Sequence, residues 1–163
     1  MVDVADIVVT HVAVQEEDFD IGQLQSEAVG GMCKEGALAT FTGYVRQDND
    51  GEEVDSLTLE HYPGMTERSI EQILQQAAAR WPLLFAGVVH RVGTLSPGDR
   101  IVWVGISSAH REAAFSACEF VMDYLKTRAP FWKKERGPAG VKWVSARGTD
   151  EARAERWSEE DKA

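Results

Sequence analysis

The sequence predicts an α+β domain whose sheet is mostly antiparallel, with three or so helices packed against it. Short alternating or β-branched runs recur along the chain, and several are joined by Gly- and Pro-containing turns typical of hairpins. Segments with helical periodicity are interspersed among them without the strict strand–helix alternation of a parallel sheet. The 163 residues suffice for one domain, which we expect over 1–148, followed by a charged tail over 149–163.

The first half of the chain predicts three strands and one helix. A β-branched run at 7–14 favours a strand, and Asp20 is placed to cap a short helix after it. Residues 37–46 and 54–61 alternate in polarity on either side of an Asp-Gly turn signal. This arrangement predicts an antiparallel hairpin with a long loop between these two strands.

The middle of the chain predicts a helix and a pair of strands. Apolar residues at helical spacing indicate a helix over 66–81, capped by Thr66 or a neighbour and stopped by Pro82. Strands at 86–92 and 100–107 flank a Pro-Gly turn. The second of them is apolar on both faces, so we expect it to be a central strand.

The last third predicts the longest helix, over 109–128, capped by Ser107 or Ser108. The apolar stripe of this helix comprises Ala114, Cys118, Val121 and Leu125, widened by Phe115 and Met122. A short edge strand follows at 141–144. The charged tail is compatible with a surface helix and with partial disorder.

The net charge of −10 and the pI near 4.8 argue against general binding to nucleic acid or to anionic membranes. The two cysteines, Cys33 and Cys118, form no C-x-x-C pair and no metal-type spacing with histidine. No apolar run approaches the ~20 residues of a membrane span. We therefore expect a cytoplasmic protein, and nothing in the sequence predicts a bound metal or cofactor.

Positive charge is concentrated in one part of this acidic chain. The cationic segment, residues 110–136, carries six Lys/Arg against four acids, a formal charge of +2, whereas the remainder of the chain sums to −12. Like charges repel, and collecting them in one segment usually serves an anionic ligand. We therefore look for the functional site here.

Five residues are the main candidates for that site, and each also has a purely structural interpretation. His110 and Arg111 begin the long helix, where exposed N–H groups favour anions, but they could be a cap and a solvated cation. Lys126 ends the same helix, where a cation is favourable in any case. A bend after it could bring Lys133 back to Lys126, and clustered ammonium groups lower one another's pKa. Arg46 ends a strand, either to bind an anion or to be solvated.

Other polar residues favour structural roles. His61 lies in a packed aromatic turn, His90 alternates within a strand, and Cys118 falls on the apolar stripe of the long helix. The chain has no G-x-S-x-G, no Walker loop and no G-x-G-x-x-G. Composition and pattern therefore indicate an anion site without naming a reaction.

Five segments together resemble one known family. They are FTGYVR (41–46), LEHYPGMTE (59–67), HRVGTLSPGD (90–99), SSAHREAAF (107–115) and MDYLKTRAPFWKKE (122–135). In this order they are similar to the large catalytic subunit of molybdopterin synthase, the MoaE family. The similarity runs from about 37 to 147, is weaker before it and does not cover the tail.

The resemblance implies a fold, a reaction and partners. The family has an α/β hammerhead fold with additional antiparallel strands. It converts cyclic pyranopterin monophosphate to molybdopterin by installing two dithiolene sulfurs. A small ubiquitin-like subunit, MoaD, carries the sulfur as a C-terminal Gly-Gly thiocarboxylate, and the large subunits form a dimer with one small subunit at each end.

The resemblance also implies roles for individual residues. By position, Lys126 and Lys133 correspond to the catalytic lysines of the family. The implied substrate-binding residues are Arg46, His110, Arg111, Lys134, Glu135, Tyr44, Val45 and, beyond the cationic segment, Arg147. Both reactants are anions, which fits a cationic site, and no cysteine is needed because the sulfur arrives on the partner.

Two other functions remain open from the sequence. One is a persulfide sulfurtransferase that moves sulfur on its own cysteine, which requires an exposed and activated thiol. The other is a non-catalytic module that binds anions or acts as a scaffold. Replacing both cysteines separates the first from the synthase, and turnover with a thiocarboxylated partner separates the second.

Overall fold

The computed structural model of the chain describes residues 8–31, 33–144 and 148–160. The strands are β1 Val9–Gln15, β2 Ala37–Tyr44, β3 Asp48–Asn49, β4 Glu52–Glu53, β5 Ser56–His61, β6 Phe85–Arg91, β7 Gly93–Leu95, β8 Arg100–Ser108, β9 Phe131–Gly137 and β10 Gly140–Val144. The helices are α1 Ile21–Val29, α2 Met65–Arg80, α3 Arg111–Arg128 and α4 Gly148–Glu160. None of these helices combines the length and the apolar character needed to cross a membrane.

The first sheet has four strands in the order β1-β6-β8-β2. Only the β1–β6 pair is parallel, so the predicted α+β class with a mostly antiparallel sheet is confirmed. β8 lies between β6 and β2, as its two apolar faces predicted. The main core lies on the face that packs against α2 and α3, where Ile70, Val104 and Val121 are fully buried.

Two glycines shape the opposite face of this sheet. Gly87 and Gly105 pair across β6 and β8, and the fully buried ring of Trp103 lies against them. A Cβ on Gly105 would be 2.1 Å from Cη2 of Trp103, so a larger residue there would displace the indole. α1 covers this face with Leu24 and Ala28.

The second sheet is entirely antiparallel, in the order β10-β9-β5-β7. Its inner face buries Leu57, Leu59 and Leu95 in a separate small core. β10 is an edge strand, as predicted. This sheet positions the candidate site, because β9 follows directly after the end of α3.

The predicted long hairpin between residues 37–46 and 54–61 is wrong. β2 pairs with β8 along its whole length, whereas β5 belongs to the second sheet. The Asp50-Gly51 turn is real, but it joins only the two-residue strands β3 and β4. A turn signal specifies the local reversal of the chain and not the partners of the strands beyond it.

β9 was not predicted from the sequence. Its sequence, FWKKERG, is charged and was interpreted only as a packed segment after a bend. Pairing with β5 on one side and β10 on the other satisfies its backbone, and its side chains alternate between the two faces of the sheet.

The helix starts were predicted unevenly. Asp20 caps α1 as expected, because its Oδ1 accepts from the Gln23 N–H at 3.0 Å. The N-cap of α2 is Gly64, a neighbour of Thr66. The Thr66 hydroxyl donates instead to the carbonyl of Pro130. The predicted serine cap of α3 is wrong, since His110 is the N-cap and the Ser108 hydroxyl donates to the Pro82 carbonyl.

The apolar stripe of α3 is buried as predicted, with one exception. Phe115, expected to widen the stripe, is 67% exposed, because it lies on the outer side of the helix. Met122 is partly buried and packs against the main core.

The described part of the tail is helical, in α4 Gly148–Glu160, which starts one residue before the predicted tail and packs against α3. The Trp157 ring is buried against Trp81 and Phe120 at centroid distances of 5.6 Å. Its indole N–H donates to the buried carboxylate of Asp123 at 2.7 Å, and Arg156 donates to the same carboxylate at 3.2 Å. These contacts fix the C-terminal half of α4 on α3, and Asp150 in its first turn lies close enough for its charge to act on Lys133.

Candidate active site

Lys126 and Lys133 meet at the bend between α3 and β9. Lys126 lies in the last turn of α3, and Ala129 leaves the helix in an extended conformation (φ −80°, ψ 128°) before the proline. β9 then returns Lys133 to the inner side of the second sheet, opposite Leu59. The two lysine side chains lie close enough for the charge of Lys126 to act on Lys133, which agrees with the proximity predicted from the sequence.

The electrostatic environment of Lys133 favours loss of its proton. Burial lowers its pKa from 10.5 to about 8, and the charge of the neighbouring Lys126 acts in the same direction. The carboxylates of Asp150 and Glu135 oppose the shift. With a pKa near 8, roughly a tenth of Lys133 is neutral at pH 7, so this amine can give or take a proton near physiological pH.

His90 is a neutral histidine beside the lysine pair. Its ring stacks on Phe131 at 3.8 Å between centroids, and its Nδ1 lies 2.8 Å from the Arg91 carbonyl oxygen, the geometry of an Nδ1–H donor. Burial lowers its pKa to about 3, and the charges of Lys133 and Lys126 add to the effect. The strand pattern predicted only a structural role for His90, because β6 and β9 are 40 residues apart and belong to different sheets, so their proximity leaves no local signal.

A second cluster joins Arg46 to Glu135 through Asn49. The Arg46 guanidinium donates to Oδ1 of Asn49 at 3.2 Å, and Nδ2 of Asn49 donates to Oε1 of Glu135 at 2.6 Å. Glu135 is buried and lies two residues after Lys133, on the same face of β9. Asn49 was not among the predicted residues, although the Asp-Gly turn after it was recognised.

The neighbours of Arg46 on the chain point in different directions. Tyr44 is 52% exposed at the end of β2. Val45 is buried in the small core under the second sheet, and its N–H and C=O bond to Asp99 and Gly98. Val45 therefore anchors the position of Arg46 through the backbone.

His110 and Arg111 lie at the other end of α3 from Lys126. Both are exposed. Fifteen residues separate Arg111 from Lys126, and at 1.5 Å per residue the helix places them about 22 Å apart. A single chain therefore does not bring this pair to the lysines.

Two more predicted residues lie away from the lysine pair or outside the described chain. Lys134 pairs with Thr58 and faces the outer side of the second sheet, where its Nζ lies 5.3 Å from the centroid of the Trp143 ring. Strand alternation alone separates it from Lys133 and Glu135. Arg147 lies outside the residues that the structure describes.

An α+β fold that carries two neighbouring lysines, one with its pKa lowered to about 8, is typical of an enzyme that handles anions and protons with amine side chains. The MoaE protein family model matches residues 14–128. The molybdopterin synthase catalytic subunit of Pseudomonas aeruginosa is 54% identical over 152 residues, which cover 91% of this chain and 99% of that protein. The chain belongs to the MoaE family, which its motifs resemble.

Solved structures agree with this assignment. The molybdopterin biosynthesis MoaE protein of Burkholderia ambifaria matches with a TM-score of 0.79 at 48% identity, covering 92% of this chain and 99% of that one. Molybdopterin synthase of Staphylococcus aureus matches with a TM-score of 0.76 at 31% identity, covering 82% and 96%. These likenesses confirm the fold class predicted from the sequence.

Proposed function

We propose that this chain is the catalytic subunit of a molybdopterin synthase. It transfers two sulfurs from the C-terminal thiocarboxylate of a small ubiquitin-like subunit to cyclic pyranopterin monophosphate, forming the dithiolene of molybdopterin. The observation that carries the proposal is the Lys126–Lys133 pair, found in a chain 54% identical to a molybdopterin synthase catalytic subunit. We place it in the cytoplasm, in keeping with its two free cysteines.

The two lysines suit different parts of this chemistry. Lys126 is exposed at the end of α3 and polarises the acyl–sulfur group or captures the acyl end that sulfur release leaves behind. Lys133 is partly buried, with a pKa near 8, and transfers protons while holding the anion. His90 stays neutral beside them and adds no charge that would compete for the substrate.

Arg46, His110 and Arg111 bind the substrate phosphate in this proposal. Because α3 holds His110 and Arg111 about 22 Å from Lys126, they reach the lysine site of a second copy of the chain, which makes a dimer a requirement of the mechanism. Arg46 lies on the same side of the chain as Glu135 and contributes from within one copy. Tyr44, exposed at the end of β2, completes the described surroundings of this phosphate.

The structure favours this function over a cysteine-based sulfurtransferase. Cys118 is buried on α3, and burial raises the pKa of its thiol to about 11, which makes it a poor nucleophile. Cys33 is exposed in the loop before β2. Replacing both cysteines with serine leaves synthase activity intact under our proposal, and loss of activity would favour the persulfide route.

The central experiment is Lys126→Ala, assayed with thiocarboxylated small subunit and cyclic pyranopterin monophosphate. Removing a positioned acid/base or nucleophilic group lowers the rate by about 10²–10⁴. The matched control is Lys142→Ala, which removes an exposed lysine of β10 that pairs with Glu52. Near-normal product formation by Lys126→Ala would remove this lysine from the mechanism, and absence of turnover by the unmodified protein would favour a non-catalytic module.

A further inference from the structure

The β3–β4 hairpin holds one amide between two charged residues of the site. Asn49 accepts from the guanidinium of Arg46 at 3.2 Å and donates to the carboxylate of Glu135 at 2.6 Å. The orientation of the amide is fixed by chemistry, because a guanidinium can only donate and a carboxylate can only accept. Aspartate, of the same size, could accept from Arg46 but could not donate to Glu135.

The hairpin that carries Asn49 is tightly constrained. Asp50 and Gly51 have φ of 53° and 82°, the left-handed pair that a two-residue type I′ turn requires. The Gly51 N–H donates to Oδ1 of Asp48 at 2.8 Å, and the Val54 N–H donates to the Gln47 carbonyl at 2.8 Å. These bonds fix the strand end on which Asn49 sits.

The hairpin is also docked on β9. The Asp55 N–H donates to the Arg136 carbonyl at 2.7 Å. Gly137 approaches the Glu53 carbonyl so closely that a Cβ there would be 2.2 Å from the oxygen. Asn49 is therefore held against β9 by the backbone, independently of its side-chain bonds.

Asn49 lies between two opposite charges and bonds to both. Without it, the exposed Arg46 guanidinium could turn to the buried Glu135 carboxylate and form a direct ion pair. A guanidinium in such a pair is partly neutralised and turned away from any other anion. Its bond to Asn49 uses one N–H of the five on the fork, and a neutral amide leaves the positive charge in place.

We propose that Asn49 is a positioning residue, which keeps Arg46 unpaired from Glu135 and oriented toward the phosphate of the substrate. This inference rests on the proposed function and adds a determinant of substrate affinity to it. A residue that acts only through Arg46 changes phosphate binding and not the chemistry at the lysines. Its effect also disappears when Arg46 is absent.

The test is steady-state kinetics of Asn49→Ala with thiocarboxylated small subunit and cyclic pyranopterin monophosphate, together with Arg46→Ala and the double variant. We expect KM for the pterin to rise about tenfold, the effect of losing a hydrogen bond to a charged group, with kcat changed less than about threefold. In the Arg46→Ala background, Asn49→Ala has no further effect on KM. The matched control is Glu52→Gln on the same hairpin, which loses the surface pair with Lys142 and keeps the wild-type KM.

Two results would overturn the role of Asn49. One is an unchanged KM in Asn49→Ala, and the other is an equal rise in KM with and without Arg46. Where Asn49→Ala does not fold, as judged by its thermal midpoint, the isosteric Asn49→Asp decides, because its carboxylate pairs with Arg46 and must raise KM at least as much. If the wild-type protein itself does not turn over, the proposed function fails rather than this inference.

Discussion

The side chains of Lys126 and Lys133 lie close together across the bend between α3 and β9, where burial and the charge of Lys126 both lower the pKa of Lys133. The half-buried Lys133 is the one whose pKa is lowered to about 8. The pair therefore places an amine that exchanges a proton near neutral pH beside a second lysine.

Replacing Lys133 with methionine is expected to stabilise the fold at pH 7 while abolishing activity. The native pKa of about 8 lies below the unfolded value of 10.5, so the full penalty is present below pH 8. Between pH 8 and 10.5 the unfolded chain holds a proton that the native one has released, and wild-type stability rises. Relative to the wild type, the free energy of unfolding of Lys133→Met is higher by on the order of 2 kcal/mol at pH 7, allowing for partial solvent exposure. This difference disappears by pH 10.5.

Urea unfolding of both proteins at several pH values measures this effect. The comparison variant is Lys142→Met, in which the removed lysine is exposed and paired with Glu52, so it gives no gain. A loss of stability at pH 7 in Lys133→Met would contradict the burial penalty.

His90 is expected to make the fold sensitive to acid. Its native pKa of about 3 lies below the unfolded value of 6.5, so between these values the unfolded chain binds a proton that the native chain does not. Wild-type stability therefore falls as pH drops from 6.5 to 3, by about 3 kcal/mol from this group at pH 4.5. His90→Phe, which keeps the stack on Phe131, removes this component.

Unfolding free energies at pH 7 and pH 4.5 provide the test. The difference between the two pH values should be smaller in His90→Phe than in the wild type. Equal differences in the two proteins would show that burial of His90 does not penalise its charged form.

Trp157 is expected to hold α4 on α3 through both its ring and its indole N–H. Trp157→Phe keeps an aromatic ring but leaves the buried Asp123 carboxylate without its 2.7 Å donor, which costs about 1–2 kcal/mol. Trp157→Ala also empties the aromatic cluster and costs about 3–5 kcal/mol. Chemical unfolding measures both, and the exposed Ser158→Ala on the same helix serves as the control, within about 0.5 kcal/mol of wild type. Equal stability of Trp157→Phe and wild type would show that the indole hydrogen bond to Asp123 does not stabilise the fold.

Asp150 is expected to tune the pH profile of the enzyme from the first turn of α4. Its carboxylate raises the pKa of Lys133, so Asp150→Asn lowers that pKa further below 8. The acidic limb of kcat/KM, which reports the base of the free enzyme, should move to lower pH. The matched control is Glu151→Gln, one residue further along the same helix and exposed. An acidic limb that moves to higher pH, or that moves equally in both variants, would show that Asp150 does not control the pKa of Lys133.

Most helices and strands could be predicted from local sequence signals. The Asp20 cap, the periodicity of α2 and the alternation of β8 each depend on neighbours in sequence, and each was confirmed. The pairing of β2 with β8 joins residues about 60 apart, and no local pattern distinguishes it from the nearer β5. The charged β9 was not predicted, because its strand conformation depends on pairing with β5 and β10 rather than on its own composition.

The candidate site was predicted only in part, because the sequence indicates proximity only between residues that are near each other in the chain. Lys126 and Lys133 are seven residues apart with a proline bend between them, so their proximity could be inferred. His110 was grouped with them by charge, although the rise of α3 carries it to the opposite end. Asn49 and His90 come from other strands, and only the tertiary fold brings them to Glu135 and Phe131.

The length of the two-residue link at 129–130 determines which side chains of β9 face the inner side of the second sheet. Side chains of a strand alternate sides, so a single inserted residue would put Trp132 where Lys133 now faces Leu59, and a single deletion would put Arg136 in the buried place of Glu135. Point substitutions in the link keep that alternation, whereas a change in its length does not. For this enzyme the length of a connector that carries no reactive group is as strict a requirement as the identity of the reactive residues themselves.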